Sequence, residues 1–204
     1  MQKLTLLLLV FLGSYACKQK DDCTPAPVPN PPNLINAKIG DTWTYKFTDS
    51  LDKVQKTIDT VKVTVIGNTL LQPKNISAQM WLHQYKTKSD TLFVATIQDT
   101  VLFFNYRLPC YDQKIINPFV TGSTWSSCDG GDSNALGIET MTVNNVSYDN
   151  LYHLNHYSDA VNSRGESNMW IDKRIGIVKK QMNSIDFGFK TVKKWELLTY
   201  NIQP

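Results

Sequence analysis

The feature that most restricts the fold is the alternation of apolar and polar residues beyond residue 34. Trp43, Tyr45 and Phe47 alternate with polar residues, and residues 61–65 alternate in the same way. A period of two places one face of a β-strand in the core and the other face in solvent. No stretch of comparable strength has the spacing of an amphipathic helix. The chain is therefore predicted to form an all-β domain.

Eight further runs, separated by polar turns, have the character of strands. They cover residues 78–85, 91–97, 101–106, 138–143, 150–157, 168–171, 176–182 and 187–200. Gly67-Asn68 is expected to form the hairpin turn after residues 61–65. Short strands at this density predict an antiparallel meander of about ten strands, forming a curved sheet, a half-barrel or a barrel, with a β-sandwich as the alternative. Periodicity alone does not choose among these forms.

A trace of internal duplication indicates two similar meanders. The sequence Gly-Asp-Thr-Trp at residues 40–43 recurs as Gly-Ser-Thr-Trp at residues 122–125. In the same order along the chain, residues 63–65 are matched by 141–143, residues 81–83 by 151–153, and residues 91–94 by 168–171. A repeat of this kind constrains architecture, because each copy would form the same supersecondary unit.

The first 16 residues have the form of a signal peptide. Lys3 supplies a positive charge, and an apolar run at residues 4–12 follows it. The run is too short to span a bilayer, which takes about 20 residues. Ala16 directly precedes Cys17, as lipoprotein signal peptidase requires, so Cys17 is predicted to become the lipidated N-terminus. The alternative is cleavage after Ala16 by the ordinary signal peptidase, which would give a soluble secreted protein.

Residues 17–33 are predicted to be a tether between this lipid anchor and the β domain of residues 34–204. Residues 18–22 resemble the short acidic export signal of surface-displayed lipoproteins in Gram-negative bacteria, which favours surface display over the periplasmic face. Residues 24–32 include five prolines and no apolar period, a composition typical of an extended spacer. The predicted location is the cell envelope, with the lipid in the outer membrane.

The charge balance argues against a nucleic-acid partner. Removal of residues 1–16 takes away Lys3 alone, so the formal charge falls from +3 to +2. No long basic run or arginine-rich segment occurs. A nucleic-acid-binding surface needs such a cluster of positive charge.

Several short segments resemble a broad group of uncharacterised bacterial lipoproteins. They are the Gly-x-x-Trp-x-Tyr opening at residues 40–45, the Trp-Ile and Ile-Gly-Ile-Val-Lys segments within residues 170–179, and the closing Trp-Glu-Leu with a later tyrosine within residues 195–200. The resemblance implies a curved antiparallel sheet and no established activity. The chain departs from the group at residues 144–147, where Asn-Asn-Val-Ser replaces a Pro-Ala-Gly-type turn.

Three cysteines remain for the domain and tether if Cys17 is lipidated. Free exposed thiols are unusual in an oxidising compartment. Cys110 and Cys128 lie in turn-rich sequence and are predicted to form a disulfide, whose loop closure would contribute roughly 3 kcal/mol. Cys23 would then be left unpaired in the tether. A bond from Cys23 to a domain cysteine is the alternative, and it would pin the tether to the domain.

No catalytic motif is found, and neither a metal nor a cofactor is predicted. His153 and His156 stand three residues apart on a predicted strand, so they should point to opposite faces and serve as ordinary strand residues. A weak calcium alternative uses Asp129, Asp132 and Asn134, whose oxygen atoms on a glycine-rich loop are suitable ligands. Such Asx-Gly clusters are far more often plain turns.

The 22 aromatic residues, five of them tryptophans, are interpreted first as the core of the sheet. An exposed tryptophan cluster would instead suit a glycan, and an apolar cavity would suit a lipid. Two functional classes remain. The favoured class is a non-enzymatic lipoprotein that binds a lipid, a glycan or an envelope partner, or that has a structural role. The other is an envelope hydrolase without a recognisable motif, which a serine beside a histidine would support.

Overall fold

A computed structural model describes residues 35–52, 54–72, 75–105, 111–128, 130–160 and 163–203. Every helix or strand within these ranges is a strand, which confirms the all-β prediction. No helix in this part of the chain is long and apolar enough to cross a membrane. The strands are β1 (Thr42–Leu51), β2 (Gln55–Leu71), β3 (Ile76–Gln84), β4 (Ser89–Ile97), β5 (Thr100–Asn105), β6 (Tyr111–Ile116), β7 (Thr124–Ser126), β8 (Asp132–Val143), β9 (Val146–Ala160), β10 (Ser163–Asp172), β11 (Gly176–Asp186) and β12 (Phe189–Asn201).

The strands form one open, curved antiparallel sheet in the order β6-β5-β4-β3-β2-β1-β12-β11-β10-β9-β8-β7. The alternative of a two-sheet sandwich is therefore wrong. Each strand pairs with its neighbour in the chain, except that β1 pairs with β12 and leaves β6 and β7 as the edges. The Trp125 indole on β7 donates a 2.8 Å hydrogen bond to the Lys114 carbonyl on β6. This side chain bridges the two edges.

The two predicted meanders are β1–β6 and β7–β12, and the matched segments fall on corresponding strands. Val65 on β2 exchanges backbone hydrogen bonds of 2.9 and 3.0 Å with residues 40–41. Ala135 on β8 exchanges bonds of 2.7 and 2.9 Å with residues 122–123. The two Gly-x-Thr-Trp sequences thus begin their meanders with the same local geometry.

Gly67-Asn68 does not form the expected hairpin turn. β2 continues through both residues to Leu71, and its register with β3 shifts between Val65 and Gly67. Gly137 marks a matching shift in β8. In both strands the glycine is the residue at which a β-bulge bends the sheet, which explains why a turn-like dipeptide lies inside a strand.

The tryptophan and glycine anchors of the family resemblance meet in the core on the concave face of the sheet. Trp43 stacks on Trp81 with ring centroids 5.1 Å apart, and its indole donates a 2.6 Å hydrogen bond to the Ile175 carbonyl. The Tyr45 hydroxyl donates to the Ile177 carbonyl at 2.8 Å. Burial raises the pKa of Tyr45, so this phenol stays protonated and remains a donor. These bonds join the opening strand to the last meander.

One end of the sheet holds both ends of the domain, and we call it the entry end. The buried Asp41 carboxylate accepts hydrogen bonds from the backbone N–H of Lys38 at 2.6 Å and of Gln203 at 2.7 Å. A buried carboxylate needs such partners to offset its desolvation. The hairpins β1–β2, β3–β4 and β11–β12 turn at the opposite end, which we call the cleft end.

Candidate functional site

A cleft of about 240 Å³ lies inside the curve of the sheet, towards the cleft end. Strands β1–β5 provide one wall, and strands β10–β12 provide the other. Its lining residues are Tyr45, Val63, Trp81, His83, Tyr85, Asp90, Thr91, Leu92, Phe103, Met169, Ile177, Lys180, Met182 and Trp195. Most of these side chains are aromatic or aliphatic, as expected of a small-molecule site.

Strand alternation places the aromatic walls of the cleft. Trp81, His83 and Tyr85 follow one another at every second position along β3 and the residue just after it, so they share the concave face. At the rim, the Phe47 ring packs against Tyr85 and Trp195, with centroid distances of 5.4 and 4.9 Å. Phe47 thereby fixes the positions of two lining side chains.

His83 is the polar group whose position in the cleft calls for an explanation. Its Nε2 atom is buried and has no hydrogen-bond partner among the residues that the structure describes. The pKa of His83 is lowered to about 4, chiefly by burial and also by Lys180 on β11, while Asp90 on β4 acts in the opposite direction. The ring is therefore neutral at pH 7. It can give or accept one hydrogen bond inside the cleft.

The volume and charges of the cleft restrict what it can hold. A volume of 240 Å³ equals the liquid volume of about eight water molecules, which is less than the cavity that a drug-sized ligand fills. The cleft therefore fits a small molecule, or one end of a longer molecule that leaves through the open side. His83, Asp90 and Lys180 would contact its polar group, while the rings would pack on its apolar part.

A polar network covers the outer, convex face of β8–β11, and the predicted His153 belongs to it. His153 Nδ1 contacts the Glu139 carboxylate, and Nε2 lies 3.0 Å from Asn168 Oδ1. The His153 ring also stacks on Trp170, whose indole donates to Glu139 at 3.2 Å. Partial burial alone would raise the pKa of Glu139, but the bonds from His153 and Trp170 lower it. Both ring nitrogens are used, so His153 acts here as a structural residue.

His156, the second predicted histidine, lies on the concave face, as strand alternation requires. Its Nδ1 atom is 3.0 Å from Ser133 Oγ. A serine beside a histidine is the pair that would favour a hydrolase. Ser133, however, is only 2% exposed, and neither residue lines the cleft. A substrate cannot reach this hydroxyl in the present conformation.

The remaining predicted sites are only partly covered by the structure. Cys17, Cys23, Cys110 and Asp129 lie outside the described residues, so lipidation at Cys17, the Cys110–Cys128 disulfide and the place of Cys23 stay predictions. Cys128 follows β7.

Within the described part of the predicted calcium loop, the Asp132 carboxylate accepts a 3.1 Å hydrogen bond from Ser126 Oγ, and Asn134 pairs with Thr124 of β7. The described ranges contain no group of three or more His, Cys, Asp or Glu side chains that could hold a metal ion.

All five tryptophans are described, and they confirm the interpretation of the aromatic residues as core. Trp43, Trp81, Trp125 and Trp170 are buried, and Trp195 is half-buried at the cleft. They do not form a flat exposed platform. Sequence reasoning did not single out His83 or Lys180. The available signal was the spacing of His83 two residues after an inward-facing tryptophan.

No protein-family model and no curated protein matches the chain. A predicted exported protein with a YmcC-like fold from Bacteroides fragilis is 9% identical, with a TM-score of 0.45, over 83% of this chain and 100% of that one. A predicted lipoprotein from Parabacteroides distasonis is 10% identical, with a TM-score of 0.35, over 81% of this chain and 98% of that one. The function of the present chain is therefore inferred from its own residues.

Proposed function

We propose that this protein is a non-enzymatic cell-envelope lipoprotein that binds a small amphipathic molecule in the cleft. The observation that carries the proposal is the buried Nε2 atom of His83, which lacks a partner among the described residues inside an aromatic cavity. A buried polar atom without a hydrogen bond destabilises a fold and calls for an explanation. A ligand hydroxyl or carbonyl that reaches His83 would supply the missing bond.

The shape of the cleft favours a lipid-like ligand over a glycan. Glycans are bound by aromatic rings that lie flat and open to solvent, whereas Trp43 and Trp81 stack on each other inside the sheet. The apolar lining from Leu92, Phe103 and Ile177 suits an alkyl chain or an aromatic ring. The hydrolase alternative lacks an accessible nucleophile at the one described serine–histidine pair, Ser133 and His156.

The cleft is expected to bind N-phenyl-1-naphthylamine with a rise in its fluorescence, and 1-octanol is expected to displace it. Met182 lines the mouth and is 39% exposed, so Met182→Trp should obstruct the cleft without straining the core. We expect this change to weaken binding of the probe by about tenfold or more. His83→Phe should weaken binding of 1-octanol by about fivefold, because one hydrogen bond is lost.

The matched control is Ile138→Trp, because Ile138 is exposed on β8 and does not line the cleft. Its affinity for the probe should equal that of the wild type. Equal binding by Met182→Trp and the wild type would place the probe elsewhere, and the cleft would then not be the binding site.

The predicted anchor gives a separate expectation. Because Cys17 follows a signal-type apolar run and a small residue, Cys17→Ser should move the protein from the membrane fraction to the soluble fraction. Fractionation of cells followed by immunoblotting measures this. A variant that sediments with membranes as fully as the wild type would show that Cys17 is not the main attachment.

A further inference from the structure

Five exposed apolar side chains lie on two neighbouring hairpins at the cleft end, with Leu51 and Phe189 on one face of the sheet and Ile185 on the other. Leu51 and Val54 belong to the β1–β2 hairpin, and Ile185, Phe187 and Phe189 belong to the β11–β12 hairpin. Val54 is 89% exposed and Phe187 is 81% exposed. We call this set the hairpin lip. A group of exposed apolar side chains on a soluble domain usually marks a contact surface.

The two hairpins are joined to each other at the cleft end. The backbone N–H of Asp52 donates to the Lys190 carbonyl at 2.8 Å, and the N–H of Lys190 donates to the Asp52 carboxylate at 2.8 Å. The first residue of β2 that pairs with β3 is Lys62. The β3–β4 hairpin reaches the level of Asp59, because the Lys86 N–H donates to the Asp59 carboxylate at 3.1 Å. Residues 55–58 therefore extend past it by about 13 Å at the usual rise of a strand. On the other side, the β9–β10 hairpin ends level with the lip, since Ser163 pairs with Asp186.

Phe187 occupies a turn position that does not suit its side chain. Phe187 and Gly188 form the two-residue turn of β11–β12, with φ angles of 50° and 88°. Such turns strongly prefer Asn-Gly, because a bulky residue is strained at positive φ. Packing of the Phe187 ring offsets little of this strain, because the ring is mostly exposed. A residue that opposes the backbone preference of its position and gains no packing in return is expected to serve a function.

We propose that the hairpin lip inserts into the surface of a phospholipid bilayer, as a second membrane contact beyond the lipid anchor. The lip carries its two most exposed apolar side chains, Val54 and Phe187, at the turns of its hairpins, where they can enter the interfacial layer of a membrane. Residues 185–194 carry three lysines against Asp186, and residues 49–59 carry three aspartates against two lysines, so the two hairpins together have a formal charge of +1. This small positive charge favours contact with anionic headgroups. This proposal does not depend on the ligand proposed for the cleft.

The chain outside the structure is long enough to permit this arrangement. Residues 17–34 would precede the domain as 18 residues, which reach about 60 Å when extended. Residue 35 lies at the entry end, and β1 spans about 35 Å from that end to the lip over its ten residues. A lipid at Cys17 can therefore sit in the same bilayer that the lip touches.

The test uses the chain from residue 17 with Cys17→Ser, so that no acyl chain contributes to binding. It should float with vesicles of phosphatidylcholine and phosphatidylglycerol in a 3:1 ratio, and more weakly with phosphatidylcholine alone. Phe187→Asn combined with Val54→Ser should lower the partition coefficient by about tenfold or more, since two apolar side chains are lost. Phe187→Asn should also keep or raise the midpoint of unfolding, because asparagine suits the turn.

The matched control is Leu70→Ser at the entry end, because Leu70 is 60% exposed and lies away from the lip. Its partition coefficient should equal that of the Cys17→Ser chain. Absence of flotation by that chain, or equal flotation by the lip variant, would overturn the proposal. So would a Phe187-dependent dimer in sedimentation velocity without vesicle binding, since a second copy of the chain would then be the partner. Met182→Trp should leave flotation unchanged, so failure at the cleft and failure at the lip are distinguishable.

Discussion

The free energy of unfolding is expected to fall by about 2 kcal/mol between pH 7.5 and pH 5 through His83 alone. The folded protein holds the pKa of His83 at about 4, against an ordinary value of 6.5. The unfolded chain therefore binds a proton below pH 6.5 that the folded chain refuses, so stability falls as the pH falls. Above about pH 6.5, His83 lowers the free energy of unfolding very little. Below about pH 4, its destabilising effect no longer grows.

Urea unfolding of the wild type and of His83→Phe at both pH values isolates this contribution. Other titrating groups affect both proteins equally, so the difference between the two pH dependences belongs to His83. Phenylalanine keeps the shape of the ring and removes the unpaired nitrogen, so stability at pH 7.5 should be equal or higher. An identical pH dependence in the two proteins would mean that His83 is not held neutral by the cleft.

Trp43→Ala is expected to lower the free energy of unfolding by about 3–5 kcal/mol, which can abolish folding. Trp43 is 2% exposed, stacks on Trp81, and bonds to the Ile175 carbonyl of the other meander. Its loss removes buried area, leaves a cavity and orphans a carbonyl at the centre of the sheet. Trp43→Phe, which keeps most of the volume, should fold and cost about 2 kcal/mol through the lost hydrogen bond and packing.

The equivalent position in the second meander gives the control. Trp125 follows the same Gly-x-Thr-Trp pattern, but it lies on the three-residue edge strand β7. Trp125→Phe should therefore cost less than Trp43→Phe, and its effect should be faster amide hydrogen exchange along β6 and β7, where the Lys114 bridge is lost. Equal destabilisation by the two changes would mean that the edge contributes as much stability as the centre.

The strands could be predicted because their signal is local. The alternation at Trp43, Tyr45 and Phe47 correctly identifies the inward face of β1, since each residue type reports directly on its own side of the sheet. Asn144 and Asn145 both have positive φ, 48° and 67°, and form the tight turn between β8 and β9. The hairpin turn predicted at Gly67-Asn68 is wrong, because a glycine that permits a turn also permits a bulge.

The cleft could not be predicted in the same way, because its composition depends on which strands face each other across the curve. His83 on β3 and Lys180 on β11 come from different meanders and act on each other only after the sheet has bent and β1 has paired with β12. No local sequence pattern indicates that His83 and Lys180 come close to each other. The sequence drew attention instead to His153 and His156, which lie close together in the chain and which are, as predicted, ordinary strand residues on opposite faces of the sheet.

The pairing of the first strand with the last determines when this fold can be completed. β1 keeps an unpaired edge until the final strand of 13 residues has been made and has reached it. A chain that is exported amino end first would expose this edge throughout translocation, when strand edges invite association with other chains. A chain that stopped before β12 would lose the strand that joins the two halves at the centre of the sheet, and not a strand at its edge.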